Sequence, residues 1–310
     1  MKILITGGAG FIGSHVAEAY LEAGHEVVIV DDLSTGRREQ VPEQAAFYKL
    51  DIRSDGMDAI IERERPDAVS HHAAQKSIPK SVADPLHDSD VNITATLRLL
   101  SSCICYGVKR FIFASTGGAL AGDSVAIPTP ETAQPVMLSP YAISKYTIEQ
   151  YLRFYQRSCG LEFVALRYAN VYGPRQQPDG ECGVIPIFMN NSEAGLPSVL
   201  YSYPDMPKGT TRDYVYIRDV CRANVAALTC GGSEVINIGS GQEIHIADIY
   251  EAVCVAMGTC QPLKTGGVRS GDLRRSALDC SKAQQLLHWS SLTTLSDGLR
   301  ETAAWHRLAR

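Results

Sequence analysis

The sequence predicts an α/β fold: a doubly wound parallel sheet with a smaller, discontinuous α+β lobe beside it. Three observations predict it. Short apolar runs alternate with segments of helical apolar spacing through the first half of the chain. Those runs are continuous instead of alternating apolar with polar, as strands covered on both faces require. From Tyr168 onward the alternation decays into Pro- and Gly-rich stretches, 172–186 and 195–209, which read as loops.

Taken in order, residues 2–6 are a short β-rich run, 11–23 have helical spacing and 26–30 are β-branched, which makes one βαβ unit. The pattern repeats with a strand at 46–50, a helix at 57–64, a strand at 68–71, a long helix at 91–106 and a strand at 110–114. Ser139-Pro140 is a helix start signal, so 141–157 is helical, and 162–166 is the next strand. The run 235–238, closed by Gly239-Ser240-Gly241, returns to the sheet as its last strand, and 246–257 is a helix. The sheet-bearing domain therefore comprises 1–167 plus 214–242, and the second lobe 168–213 plus 243–310. No internal repeat or low-complexity linker separates them.

Bulk properties narrow the function. A chain of 310 residues, 45% hydrophobic, has ample material for a buried core. Its 29 basic and 34 acidic residues leave a net charge of -5, with no Lys/Arg run to attract a phosphate backbone, so nucleic acid is not an expected partner. No apolar run approaches the roughly 20 residues of a membrane span. The apolar start 3–6 stops at once in glycine, so no secretion signal is read and a cytoplasmic location is expected. The nine cysteines are scattered; only Cys103 and Cys105 lie close, at a spacing unlike a metal or redox motif, so reduced thiols and no metal are expected.

Gly7, Gly10 and Gly13 stand between the first strand and the first helix. A side chain at the first would block the turn, at the second would hold a pyrophosphate off the backbone N–H groups, and at the third would push helix from strand. This is the dinucleotide-binding signature of a Rossmann half, and Gly7, Gly10, Phe11, Ile12 and Gly13 are its expected cofactor positions. Asp31 ends the second strand, where a carboxylate binds both adenosine ribose hydroxyls and repels a 2'-phosphate, so the expected cofactor is NAD. Asp51 and Ile52, after the third strand, are candidates to hold the adenine.

Tyr141 and Lys145 lie one turn apart on one helix face. An ammonium beside a phenol favours phenolate, drawing the tyrosine from about 10 towards the working pH so that it serves as a general base. Thr116, after Ser115, falls at the carboxyl end of a core strand, the edge where open α/β sheets bind ligands, and its hydroxyl shares the proton of a reacting alcohol. His71 and His72 have no acidic or cysteine cluster beside them and read as packing near the cofactor.

With the glycine pattern, Ser/Thr after a strand and Tyr-x-x-x-Lys in that order, the sequence resembles the extended short-chain dehydrogenases/reductases. Within them it is similar, over essentially the entire chain, to the NAD-dependent nucleotide-sugar epimerase/dehydratase family, and most to its UDP-glucose 4-epimerases. The segment from Leu166-Arg167 to Pro174-Arg175 and the stretches Thr211-Arg212-Asp213-Tyr214 and Arg269-Ser270-Gly271-Asp272 resemble that family's substrate-binding segments. The resemblance implies that Asn170, Arg212 and Arg269 hold the substrate diphosphate, that Asp272 also binds the substrate, that Tyr201 lies against uracil, and that Lys76 and Asn92 approach the nicotinamide ribose.

Dehydratases of the group carry an Asp-Glu pair straight after the Ser/Thr, and decarboxylases a Glu; here Gly117 and Gly118 stand there. The resemblance thus implies 4-epimerisation of a UDP-hexose through a transient 4-keto sugar. Ser276 falls where the family sets the size of the sugar pocket, and a small residue implies that N-acetyl hexoses enter. Ala121 replaces a usual Tyr that helps wall the site, and 202–210 departs from the usual short turn. The helices 91–106 and 141–157 resemble a pair that forms a four-helix bundle between two copies, implying a homodimer. Two other readings remain: a nucleotide-sugar dehydrogenase or reductase (or another family epimerase/dehydratase), and a non-catalytic NAD sensor.

Overall fold

The computed structural model describes residues 1–122, 124, 126–178, 183–268 and 273–308. Along the chain, β1 (Lys2–Thr6), α1 (Phe11–Glu22), β2 (Glu26–Asp31), β3 (Ala46–Lys49), α2 (Gly56–Glu64) and β4 (Ala68–His71) build the first half of the sheet. Two short helices follow, α3 (Ile78–Ala83) and α4 (Pro85–Ser89), then a π-helical turn (Asp90–Thr94) and α5 (Ala95–Cys105). The second half begins with β5 (Arg110–Thr116), α6 (Gly118–Ala121), α7 (Pro140–Cys159) and β6 (Glu162–Tyr168).

Beyond it come β7 (Asn170–Tyr172), α8 (Val184–Glu193), β8 (Ser198–Tyr201), β9 (Thr211–Arg212), β10 (Tyr214–Tyr216) and α9 (Ile217–Ala227). The chain then re-enters the sheet at β11 (Glu234–Ile238) and leaves through β12 (Ile244–His245), α10 (Ile246–Met257), β13 (Leu263–Gly266), α11 (Ser281–Leu287) and α12 (Leu295–Leu308).

Among the described residues the main sheet has seven strands in the order β11-β6-β5-β4-β1-β2-β3, every neighbour parallel. The order reverses between β1 and β4, which opens a crevice at the carboxyl ends of those strands. Both faces are covered, as the continuous apolar runs require. Ile3 and Ile5 of β1 pack with Val16, Ala17 and Tyr20 of α1 and Val220 of α9. Leu4, between them, faces the other way, into a cluster with Ile61 of α2, Leu99 and Leu100 of α5 and Ile148 and Leu152 of α7.

Four sequence expectations change. The helix at 91–106 is not uniform: its first turn is π-helical. The stretch 195–209, read as loop, contains β8, which pairs in parallel with β13; its apolar Val199-Leu200-Tyr201 run is short and hemmed by Pro197 and Pro204, which hid it. The stretch 172–186, also read as loop, already contains the start of α8. The cysteines are not all free either. Cys254, in the last turn of α10, is disulfide-bonded to Cys260, because the left-handed Gly258 (φ 71°) folds the chain back between them.

Candidate active site

The glycine turn meets the steric demands read from the sequence. Gly7 has φ 70°, and a Cβ there would stand 2.5 Å from the Ala73 nitrogen, so only glycine lets the loop after β4 approach. A Cβ on Gly13 would strike the carbonyl of Gly7. Gly10 is the N-cap of α1 and brings no capping side chain, and no acidic residue occupies the first turn. The first N–H groups of α1, with the positive end of its dipole, are thus left for an anionic group.

Asp31 is 7% exposed. Its Oδ2 accepts the Ala9 N–H at 2.9 Å and its Oδ1 the Leu33 N–H at 2.8 Å, fixing the carboxylate beside the glycine turn. Burial raises its pKa while those two N–H bonds pull it back. Each oxygen keeps a second lone pair, enough to take the two hydroxyls of a ribose. Farther along, Asp51 is occupied by Arg53, which holds it below the usual carboxylate range, and Ile52 is buried beside it. The residues at this edge fit an adenine dinucleotide.

The candidate catalytic residues lie where β5 ends and α7 begins. Ser139 caps α7 by accepting the Ala142 N–H at 3.2 Å, and Pro140 takes the first helical position. This start aims Tyr141 and Lys145 at the sheet. Lys145 Nζ donates to the Ala114 carbonyl at 2.9 Å and lies over the rings of Phe113 (4.8 Å) and Tyr141 (5.9 Å). Thr116, two residues past that carbonyl, is half-buried and accepts a long 3.4 Å bond from the Ala119 N–H. Burial brings the Lys145 ammonium down to about 8, with Asp88 and Glu149 opposing it.

The two histidines pack. His71 lies between Thr6 Oγ1 (2.6 Å) and Thr96 Oγ1 (2.9 Å) and is held neutral by burial and by Lys145. His72 shares a 3.0 Å bond with Ser70, and burial carries it down to about 3. Asn92 is buried and committed to the loop after β4: it accepts the Gln75 N–H and donates to the Gln75 carbonyl, both at 2.9 Å. Lys76 is exposed at the end of that loop.

A cavity of about 490 Å³ opens on the other side of the crevice, lined among others by Asn170, Tyr201, Arg212, Tyr214, Gln176 and Ile246. Asn170 is held by its N–H to the Asp213 carbonyl at 2.9 Å. Arg212 spends Nη1 on the carbonyls of Thr211 and Leu273, both at 2.7 Å, which steers the rest of the guanidinium. Ser276 is buried near Gly118, where an added Cβ would stand 3.4 Å from its Oγ. Arg269 and Asp272 lie outside the described residues. The Tyr214 hydroxyl and Gln176 Oε1 are buried without a hydrogen-bond partner among the described residues, and neither was singled out from the sequence as a binding group. Tyr214 lay inside a quoted motif; Gln176 carried no signal beyond following Arg175.

Sequence reasoning also missed Glu149, one turn beyond Lys145. Fully buried, it accepts from Ser115 Oγ (2.7 Å) and from Arg167 Nε (2.9 Å) and Nη2 (2.6 Å), tying α7 to β5 and β6. The 3.6-residue period from Tyr141 through Lys145 puts it on the same helix face, but that spacing alone does not tell it from a solvated charge.

The model of the NAD dependent epimerase/dehydratase family matches residues 3–239. The chain belongs to that family. Family members of known structure follow it closely. The UDP-glucose 4-epimerase of Thermotoga maritima, solved with UDP-glucose, is 43% identical with a TM-score of 0.96, covering 100% of this chain and 99% of that one. The UDP-glucose 4-epimerase of Thermus thermophilus, solved with NAD, is 42% identical at TM-score 0.94, each chain covered fully. The UDP-N-acetylglucosamine 4-epimerase of Methanobrevibacter ruminantium M1, in complex with UDP-N-acetylmuramic acid, is 31% identical at TM-score 0.93, covering 100% and 99%. In this family member no helix among the described residues is long and apolar enough to cross a membrane.

Proposed function

We propose that this family member is an NAD-dependent UDP-hexose 4-epimerase, interconverting UDP-glucose and UDP-galactose. The observation that carries the reading is Lys145 bonded to the Ala114 carbonyl, which draws the Tyr141 turn of α7 against the strand end bearing Thr116. In this reading Tyr141 takes the proton of the sugar 4-hydroxyl, Thr116 shares it, and Lys145 stabilises the phenolate. Bound NAD supplies the hydride acceptor and donor that oxidises C4 and reduces it again. Between the two steps the 4-keto sugar turns over, so the protein must grip the diphosphate and leave the hexose loose. Asn170, Arg212 and Arg269 are the proposed diphosphate grip, a task suited to arginine forks; Asp272 is a further proposed substrate-binding residue and Tyr201 the proposed uracil neighbour.

The Gly117-Gly118 pair supports epimerisation over elimination. A Cβ at 117 would run into the Leu278 side chain, which would have to move to admit an acidic residue there, whereas position 118 is open. The sheet-bearing residues 1–167 plus 214–242 are proposed to carry the cofactor through Gly7, Gly10, Phe11, Ile12, Gly13, Asp31, Asp51, Ile52, Lys76 and Asn92. The remainder carries the nucleotide sugar. With Ser276 small, N-acetyl hexoses are proposed substrates too, as the methanogen enzyme's name fits; turnover of UDP-galactose with none of UDP-N-acetylgalactosamine would remove that part.

A cytoplasmic homodimer completes the proposal. Ile143, Tyr151 and Phe154 expose apolar side chains on α7, and Val82 and Leu86 do so on α3 and α4. Size-exclusion chromatography tests the dimer. Incubating the protein with UDP-galactose and resolving products by anion-exchange chromatography tests the activity; net NADH release at 340 nm, in step with turnover, would instead favour a dehydrogenase.

A further inference from the structure

Asp88 is a fully buried carboxylate in α4 that the mechanism above does not use. A buried charge is costly unless its lone pairs are filled. Here three neutral donors take three of the four. Ser144 Oγ donates to Oδ2 at 2.5 Å, and Gln75 Nε2 and Asn92 Nδ2 donate to Oδ1 at 2.9 and 3.0 Å. The donors come from three parts of one site. Ser144 immediately precedes Lys145 on α7, Gln75 belongs to the loop that begins at Ala73 against Gly7, and Asn92 stands in the π-helical turn.

The other buried carboxylate near Lys145 differs in one respect: Glu149 is already paired with Arg167. The donors on Asp88 are uncharged, so, unlike Glu149, it has no cation hydrogen-bonded to it among the described residues. The charges of Asp88 on α4 and Glu149 on its own helix favour the Lys145 ammonium without a direct ion pair among the described residues, Tyr141 lies with its ring 5.9 Å from Nζ, and His71 and His72 at the end of β4 are both neutral.

We propose that Asp88 is a positioning residue for the Tyr141–Lys145 pair: it pins the catalytic helix to the loop bordering the cofactor crevice and supplies the buried counter-charge to Lys145. The proposal rests on the epimerase reading only in giving Lys145 its catalytic use. Removing the charge disfavours the ammonium, so the sign is fixed: Lys145 loses its proton at lower pH, and the alkaline limb of kcat moves down with it.

The test is Asp88→Asn, which keeps the size of the side chain, in the full-length protein. The Lys145 13Cε resonance is titrated by NMR, assigned through its absence in Lys145→Met. The expected midpoint lies about one pH unit below that of the parent protein, itself near 8. Turnover of UDP-galactose is expected to fall about tenfold at pH 9 and much less at pH 6.5, with KM within about twofold. Ser144→Ala, which removes one hydrogen bond and keeps the charge, is expected to leave the midpoint in place. An unmoved midpoint in Asp88→Asn, or one that moves equally in Ser144→Ala, overturns the proposal. Should Asp88→Asn not fold, Asp88→Ser, which asks for less space, gives the same reading. The titration needs no turnover, so an inactive parent protein would refute the epimerase reading without altering what the midpoints say of Asp88.

Discussion

The two walls of the crevice are built on different principles. The wall at β1, α1 and β2 is made of consecutive chain: Gly7, Gly10, Gly13 and Asp31 fall within one βαβ unit, and Asp31 is locked by backbone N–H groups. The opposite wall gathers Asn170, Tyr201, Arg212 and Ser276 from segments far apart in sequence, joined by two-stranded sheets such as β7 with β10 and β9 with β12. In the proposed reading, a local unit binds what is constant, the cofactor. A composite wall is free to vary its residues one at a time, as recognition of different sugars requires.

Substitutions on the two walls should separate accordingly. At the meeting point of the walls, Tyr141→Phe removes the proposed base and is expected to lower kcat by about 10²- to 10⁴-fold with NAD still bound, read by product chromatography and by cofactor fluorescence. On the cofactor wall, Asp31→Asn is expected to weaken NAD about 10- to 100-fold, the loss of charged hydrogen bonds, and to narrow the preference over NADP, both measured by calorimetry. KM for the nucleotide sugar should stay nearly unchanged; a parallel rise would mean that the walls are not independent.

On the composite wall, Arg212→Lys keeps the charge but loses the fork, and about a tenfold rise in KM for UDP-galactose is expected without loss of bound NAD. The mildest change is Gly118→Ala, whose added methyl would sit 3.4 Å from Ser276 Oγ and 4.0 Å from Asn170 Oδ1. It is expected to cut kcat/KM for UDP-N-acetylgalactosamine several-fold more than for UDP-galactose, about 1 kcal/mol of discrimination. Equal loss on both sugars would show that the pocket does not grade size at this point.

The same contrast explains what was legible in the sequence. Strands β1 to β6 and the helices α1, α2, α5 and α7 announced themselves because each repeats an apolar period against a sheet covered on both faces, whereas the short α3, α4 and α6 carry too few turns to show one. The glycines and Asp31 were legible because each does one steric or electrostatic job at fixed spacing. Strand β8 was not, since four residues paired with the distant β13 carry no period of their own. Glu149 and Asp88 were missed for a related reason: one acidic residue on a helix reads as a solvated charge until the fold puts Arg167, or Ser144 with Gln75, against it. The Cys254–Cys260 pair escaped because nothing in the spacing signals the left-handed turn that closes it.

The π-helical turn at Asp90–Thr94 has a mechanical consequence. Such a turn accommodates one residue more than an α-helix, and each residue advances an α-helix by about 100°. Deleting a single residue there would mend the helix into a regular rod while rotating α4 by that angle relative to α5. Asp88 would then swing away from Ser144, and the most regular version of this segment would be the least competent one.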